Sequence, residues 1–243
     1  MGTEKGSRET VREDYLDGGY LLKNPSFHVE DSPWKAAQIV RMLELRGLHP
    51  GRVAEVGCGA GEILVQLAGR LPETRFDGYE ISPQGFELAR VRESERVRLF
   101  NLDFLEQGGE DYDLVLCIDV FEHVEDYFGF LRRLRRRGRA FLFHVPLDMN
   151  AQMVARGEPV SRVRRTVGHL HYFSKETALA GLGECGYRVE AWFFTANGVE
   201  RPKSLRARLM KVPRRVCFAV APEWTARVLG GYSLMVYATA GGD

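Results

Sequence analysis

Residues Val53 to Gly61, Val-Ala-Glu-Val-Gly-Cys-Gly-Ala-Gly, carry an apolar run directly into three alternating glycines. The pattern predicts a strand that turns at once into a helix, with a turn backbone that a ligand can approach closely. In a doubly wound α/β sheet the crevice beyond the strand ends lies at such a turn, and nucleotide-like ligands bind there. A tight turn without a ligand produces the same letters, so the ligand has to be read from other residues.

Two details set that ligand apart from a dinucleotide. The G-x-G-x-x-G fingerprint needs its third glycine at position 62, where this chain has Glu62, and its own glycine falls at Gly61. Glu55, just before the glycines, would also set a negative charge against a pyrophosphate. A cationic ligand suits that carboxylate, and S-adenosylmethionine carries a sulfonium and an ammonium on an adenosine.

Acids at later strand ends fit the same ligand. Arg75 to Ile81 reads as a second strand ending in Glu80, about 20 residues past the glycines, where a carboxylate accepts both ribose hydroxyls. NAD sites share that acid. A third strand, Val97 to Leu102, ends in Asp103-Phe104, suited to an adenine amino group and its ring. A fourth, Tyr112 to Ile118, ends in Asp119-Val120-Phe121-Glu122-His123.

With these residues the chain resembles the class I S-adenosylmethionine-dependent methyltransferases. The resemblance rests on Glu55 to Gly61, Glu80, Asp103-Phe104 and Asp113 to Val124, with Gly168 to Ser174 similar to the segment before the last core helix of many small-molecule members. It implies a doubly wound, Rossmann-like, seven-stranded, mostly parallel α/β sheet with helices on both faces and an antiparallel last strand. It further implies that Gly57, Gly59 and Gly61 pass the methionine part, Glu80 the ribose, and Asp103 and Phe104 the adenine. Glu55, Cys58, Ile81 and Asp119 complete the implied cofactor-binding set.

Composition bounds the rest. A chain of 243 residues with 44% apolar content buries one sizeable core, and no Pro/Gly/Ser-rich linker divides it, so 1–243 is expected to be one domain. Within it, 1–50 reads as a tail and cap helix, 51–148 as the cofactor-binding core, 149–170 as an inserted lid and 171–243 as the C-terminal part of the sheet. No apolar run reaches the ~18 residues that span a bilayer, and the polar start, Met1 to Asp14, is unlike a signal peptide. A cytoplasmic protein is expected. Cys58, Cys117, Cys185 and Cys217 are far apart and read as buried small residues, not as metal ligands or disulfides.

A net charge of +1 gives no global attraction to nucleic acid, and none is expected as a partner. The arginines Arg132, Arg133, Arg135, Arg136 and Arg137 flank Leu131 and Leu134 at a helix end, where cations suit the dipole. Lys203, Arg206, Arg208, Lys211, Arg214 and Arg215 interleave with Leu205, Leu209 and Val212. A solvated helix over the core accounts for them better than a basic amphipathic surface for a membrane or an acidic substrate.

The expected order is a cap region from Tyr15 to Phe27, then a helix from Asp31 or Ser32 with Pro33 in its first turn. Strands near 52–57, 75–81, 97–102, 112–118 and 139–145 alternate with helices near 61–70, 83–92 and 124–137. Residues 149–170, with Gly157, Pro159 and Arg162, Arg164 and Arg165, break the rhythm. Ser174-Lys175-Glu176 then caps a helix to Cys185, followed by a strand near 187–195, an irregular basic stretch and a final strand, Tyr232 to Ala238.

The chemistry names further candidates. A sulfonium methyl is already electrophilic, so the chain must align a nucleophile and, for a hydroxyl, remove its proton. His123 is the catalytic candidate, because it follows the fourth strand and its ordinary pKa suits neutral pH. Asp119, Glu122 and His123 resemble the acid-rich segment of quinone-biosynthesis O-methyltransferases, where a divalent cation assists. Asp119 is one methylene short for that role, and no resident metal is expected. His169 and His171 would share one face of a strand near the acceptor or form a surface pair, whereas His144 reads as a satisfied core histidine. Tyr15, Tyr20 and Trp34 cover the cofactor or pack the cap. The expected function is methyl transfer to a small-molecule acceptor, a hydroxyl of a sugar, quinone or secondary metabolite. The alternatives are an inactive binding module of the same fold and a nicotinamide oxidoreductase, the latter opposed by Glu55 and Glu62.

Overall fold

The computed structural model describes residues 11–106, 112–201 and 205–241. The polar start over residues 1–10 and Lys203 lie outside the described residues. The first half runs α1 (Val11–Asp17), α2 (Gly19–Lys23), α3 (Ser32–Arg46), β1 (Arg52–Val56), α4 (Glu62–Ala68), β2 (Arg75–Tyr79), α5 (Pro83–Ala89), β3 (Val97–Phe100), β4 (Tyr112–Ile118) and α6 (Tyr127–Leu134). The second half runs β5 (Gly138–Pro146), α7 (Ala151–Arg156), α8 (Glu158–Val167), α9 (Lys175–Glu184), β6 (Tyr187–Thr195), α10 (Asn197–Glu200), α11 (Leu205–Leu209), α12 (Lys211–Val220), α13 (Pro222–Leu229) and β7 (Ser233–Ala240).

Among the described residues the strands form one sheet in the order β3-β2-β1-β4-β5-β7-β6. All pairings from β3 to β5 are parallel, and β7 runs antiparallel to both β5 and β6. The reversal of strand order between β1 and β4 opens the crevice where an α/β sheet takes its ligand.

Alternation along the strands divides the core between the two faces. Val53, Leu114, Leu116, Leu142 and Met235 face Ile39 and Met42 of α3 and Leu64 and Leu67 of α4. Their neighbours Ala54, Val115, Cys117, Phe141, Phe143 and Val236 face Leu131 and Leu134 of α6 and Ala178 and Leu182 of α9. Local signals set the helix ends. Pro33 opens α3 and Gly47, at φ 60°, closes it. Ser174 and Thr177 form the capping box of α9.

The structure corrects several expectations. The inserted segment 149–170 is two helices, α7 and α8, the first capped by Asn150. The stretch before β7, expected to be irregular apart from a solvated helix around residues 203–215, is helical in α10 to α13. His169 and His171 do not lie in a strand. Cys217 is half-buried on α12, unlike the other three cysteines. The arginines after α6 are more than solvated: Arg135 donates to the carbonyls of Gly186 and Gly241, and Arg137 lies over the Phe104 ring at 4.8 Å.

Candidate cofactor and acceptor site

A cavity of about 720 Å³ opens at the C-terminal ends of β1, β2 and β4. Its floor is the turn after β1, where Gly57 and Gly59 have φ of 65° and 54°; Gly61, at φ 75°, is buried behind them on the side of Leu99 and Ala89 and does not line the cavity. A Cβ on Gly57 would stand 3.0 Å from Val120 Cγ2, so side chains are excluded here on both conformational and steric grounds. The three non-glycine residues with positive φ among the described residues, Phe27, His28 and Asp119, also line the cavity. Backbone strain is thus concentrated at this site.

Glu55, Gly57, Cys58, Gly59, Glu80, Ile81, Asp103, Phe104 and Asp119 all line this cavity. Cys58 contributes backbone, since its carbonyl accepts from Gly61 N at 2.9 Å and its thiol is buried. Glu80 Oε2 accepts from Gly59 N and Oε1 from Ser82 N, each at 2.8 Å. Burial raises the Glu80 pKa against the pull of these amides. Asp103, half-buried, lies 3.5 Å from Arg12. Phe104 is less a ring platform than expected. It is buried against Tyr79 at 4.8 Å, within the core, and reaches the cavity from there.

Glu55 tests the fit of a cationic ligand. Its Oε2 is buried without a hydrogen-bond partner among the described residues, and burial pushes its pKa up to about 8 despite Lys35. An unpaired buried carboxylate is costly, and an ammonium in the cavity would remove the penalty. The donor set therefore suits S-adenosylmethionine and not a pyrophosphate.

Asp119 turns away from the other predicted acids. It meets Lys35 Nζ at 2.7 Å and His144 Nδ1 at 2.5 Å, and His144 Nε2 meets Thr195 Oγ1 at 2.8 Å. Burial would raise Asp119, but His144 and Lys35 hold its carboxyl well below the usual range. His144 is thus satisfied on both nitrogens, as expected. Asp119 does not complete a ligand set with Glu122 and His123. The third group near those two is His169, with ligand atoms of all three within 4.8 Å of one another.

His123 follows β4 in a short 3₁₀ turn, and its Nδ1 lies 3.2 Å from the Gly168 carbonyl. Burial and neighbouring His169 lower its pKa to about 3, away from the neutral value its position suggests. Glu122 is fully buried with both carboxylate oxygens unpaired among the described residues, and burial and Asp119 raise its pKa. Its carbonyl accepts from both Leu170 N and His171 N, so the chain curls here and separates the two histidines. His169 lines the cavity, 4.9 Å ring to ring from His123, with Nδ1 2.6 Å from Asp148 Oδ2. His171 instead meets the Val124 carbonyl at 2.9 Å and packs on Tyr127. Tyr15 and Tyr20, stacked at 4.2 Å, line the cavity from the cap, whereas Trp34 bonds Glu200 outside it.

Lys35 and Asp148 are absent from the sequence expectations. Asp148 follows the fifth strand, so the rule that picks out Glu80, Asp103 and Asp119 reaches it too. Lys35 leaves no comparable trace, being one cation on a helix of ordinary pattern.

A family model described as a methyltransferase domain matches residues 54–139. A curated malonyl-[acyl-carrier protein] O-methyltransferase of Acetivibrio thermocellus is 30% identical over 114 residues, 46% of this chain and 40% of that protein. The chain thus matches less than half the length of this relative. Among solved structures, the methyltransferase bound to the Trm112 activator of Haloferax volcanii aligns with a TM-score of 0.66 at 16% identity, covering 96% of this chain and 99% of that one. The N-methyltransferase NodS of Bradyrhizobium japonicum, in complex with S-adenosyl-L-homocysteine, aligns at 0.61 and 15% identity, covering 96% and 100%. These likenesses give the same fold. Residues 54–139 thus match a methyltransferase domain on a methyltransferase-like fold, and the glycine turn, the strand-end acids and the unpaired Glu55 suit S-adenosylmethionine as the cofactor.

Proposed function

We propose that this chain transfers a methyl group to a hydroxyl oxygen of a small molecule, with His169 as the general base. The observation that carries the reading is the Asp148–His169 pair at the cavity wall, 2.6 Å between Oδ2 and Nδ1. An Nδ1–H donated to Asp148 leaves Nε2 as an acceptor, the arrangement in which a carboxylate orients an imidazole base. The relative named as an O-methyltransferase supports transfer to oxygen.

Bound S-adenosylmethionine supplies an electrophilic methyl group. Glu55 would take its ammonium, Glu80 the ribose hydroxyls and Asp103 the adenine amino group, with Gly57, Cys58 and Gly59 lending backbone, Gly61 closing the turn behind them, Ile81 and Phe104 packing, and Asp119, paired with Lys35 and His144, bordering the cavity. The acceptor hydroxyl sits against His169, which takes its proton at Nε2. His123, neutral because of its low pKa and held by the Gly168 carbonyl, packs beside the acceptor and helps to keep it in line. A proton acceptor that weak is a poor base at neutral pH, which moves the proton transfer to its neighbour. Tyr15, Tyr20 and the end of α8 close around the acceptor and exclude water.

Incubating the protein with S-adenosylmethionine and a panel of sugars, quinones and phenols, read by mass spectrometry, tests the reaction. His169→Ala should lower turnover by ~10²–10⁴ while S-adenosylmethionine affinity stays within a few-fold. Methylation of amines alone, or an unchanged rate in His169→Ala, would overturn the reading.

A further inference from the structure

The two segments that depart from the βαβ rhythm carry the chain's charge asymmetry. Residues 149–170 and 197–230 hold 12 Lys and Arg against the acids Glu158, Glu200 and Glu223, in a chain whose net charge is only +1. The two segments meet: α7 packs on α13, and Arg214 Nη2 reaches Gln152 Oε1 at 3.4 Å. The described residues of the two segments form one basic layer, and the rest of the sequence is net acidic.

That layer is also apolar on its outside. Leu205, Leu209, Val212, Val216 and Val220 recur at helical spacing along α11 and α12, and all are exposed, from 59% at Val216 to 82% at Val220. Trp224 of α13, four residues past Val220, is exposed as well. The inner side of α12 is occupied separately, by Phe218 stacked on Tyr232 and by Arg214 donating to the Leu229 carbonyl. The outer stripe is therefore a second apolar face with no partner among the described residues, and a patch of this kind marks an interaction surface. Arg208 and Arg215, beside the stripe, are exposed and make no ion pair among the described residues.

We infer that this face docks on an anionic lipid bilayer, with the Leu205–Val220 stripe and Trp224 entering the interface and the flanking arginines meeting lipid phosphates. Cations beside an aliphatic stripe capped by a tryptophan match the chemistry of a helix lying in the membrane plane. No helix among the described residues is long and apolar enough to cross a membrane, so the contact is peripheral. A nucleic acid would use the cations and leave the aliphatic stripe in water. An acidic protein surface would not explain the breadth of the positive charge over both segments.

Co-sedimentation of the full chain with phosphatidylcholine vesicles, with and without phosphatidylglycerol and at low and high salt, tests the inference. The wild type should bind the anionic vesicles, and neutral vesicles about tenfold or more weakly, with binding reduced by salt. Leu209→Glu/Val216→Glu and Arg208→Glu/Arg215→Glu should each weaken binding about tenfold or more. Both change exposed side chains, so thermal unfolding and S-adenosylmethionine binding should match the wild type. Failure of the wild type to sediment with anionic vesicles overturns the inference. So does loss in the arginine variant alone, the signature of a polyanion site such as RNA. A concentration-dependent dimer abolished by the apolar variant, without vesicle binding, would assign the face to a second copy.

Discussion

Lys35 Nζ on α3 lies 2.7 Å from Asp119 Oδ2 at the end of β4, so a helix outside the βαβ core neutralises the acid at the sheet's crevice. Burial would lower the Lys35 pKa, yet Asp119 keeps it raised. Lys35→Met leaves a carboxylate facing His144 alone. It should cost ~1.5–3 kcal/mol, since a hydrogen bond to a charged group is lost. For a chain of this size that lowers Tm by roughly 3–12 °C, whereas Lys35→Arg should retain most of the stability. A thermal melt of Lys35→Met matching the wild type would show that the pair contributes nothing.

Glu55 predicts a proton count. With its pKa at about 8, the free protein carries this carboxyl protonated at neutral pH. A cation in the cavity favours the carboxylate, so binding S-adenosylmethionine at pH 7 should release up to about one proton. Affinity should then rise with pH until the carboxyl is ionised in the free protein. Calorimetry in two buffers of different ionisation heat reads the proton directly. Glu55→Gln should bind more weakly and release none; identical apparent enthalpies in the two buffers for the wild type would contradict the linkage.

His123 predicts an acid-side loss of stability. Its folded pKa, about 3, lies below the ~6.5 of an unfolded histidine. The unfolded chain therefore takes up the proton first. The contribution is fully present above the unfolded value and is lost as pH falls toward the folded one. His123→Gln should flatten the fall of Tm between neutral pH and pH ~4.5. An unchanged slope would mean that the imidazole is not the group responsible.

Gly57 and Gly183 should respond in opposite ways to alanine. Gly57 combines φ 65° with a Cβ position 3.0 Å from Val120, so Gly57→Ala should destabilise by more than ~1 kcal/mol and weaken cofactor binding. Gly183 lies in α9 with nothing within 4 Å, and Gly183→Ala should be neutral or stabilising by ~0.4–1 kcal/mol. Denaturant unfolding of the two variants, with calorimetry for Gly57→Ala, checks both.

The strand ends are legible in the sequence because parallel strands are near-continuous apolar runs and the polar residue that stops each one stands out: Glu80, Asp103 and Asp119 are read this way. The continuation of α12 past residue 215 and the separate helix α13 are not legible, because Pro213 and Pro222 favour a break on either side. Both prolines occupy first turns, where a missing N–H costs nothing. The paths of His169 and His171 escape a period-two reading because one carbonyl, Glu122, collects both neighbouring amides and bends the chain. Pairings such as Lys35 with Asp119 depend on where a distant helix lands, and local pattern holds no record of that.

The position of β7 bears on how the chain acquires its shape during synthesis. Among the described residues strand β6 pairs only with β7 in the sheet, and β7 follows it in sequence. Until residues 233–240 have left the ribosome, β5 offers an open edge and β6 has nothing to pair with. The five strands from β3 to β5 can assemble first around the glycine turn, while Trp192, Phe193 and Phe194 of β6 wait unpaired. A nascent chain stalled before residue 233 thus exposes a sticky strand edge that chaperones recognise and that invites aggregation.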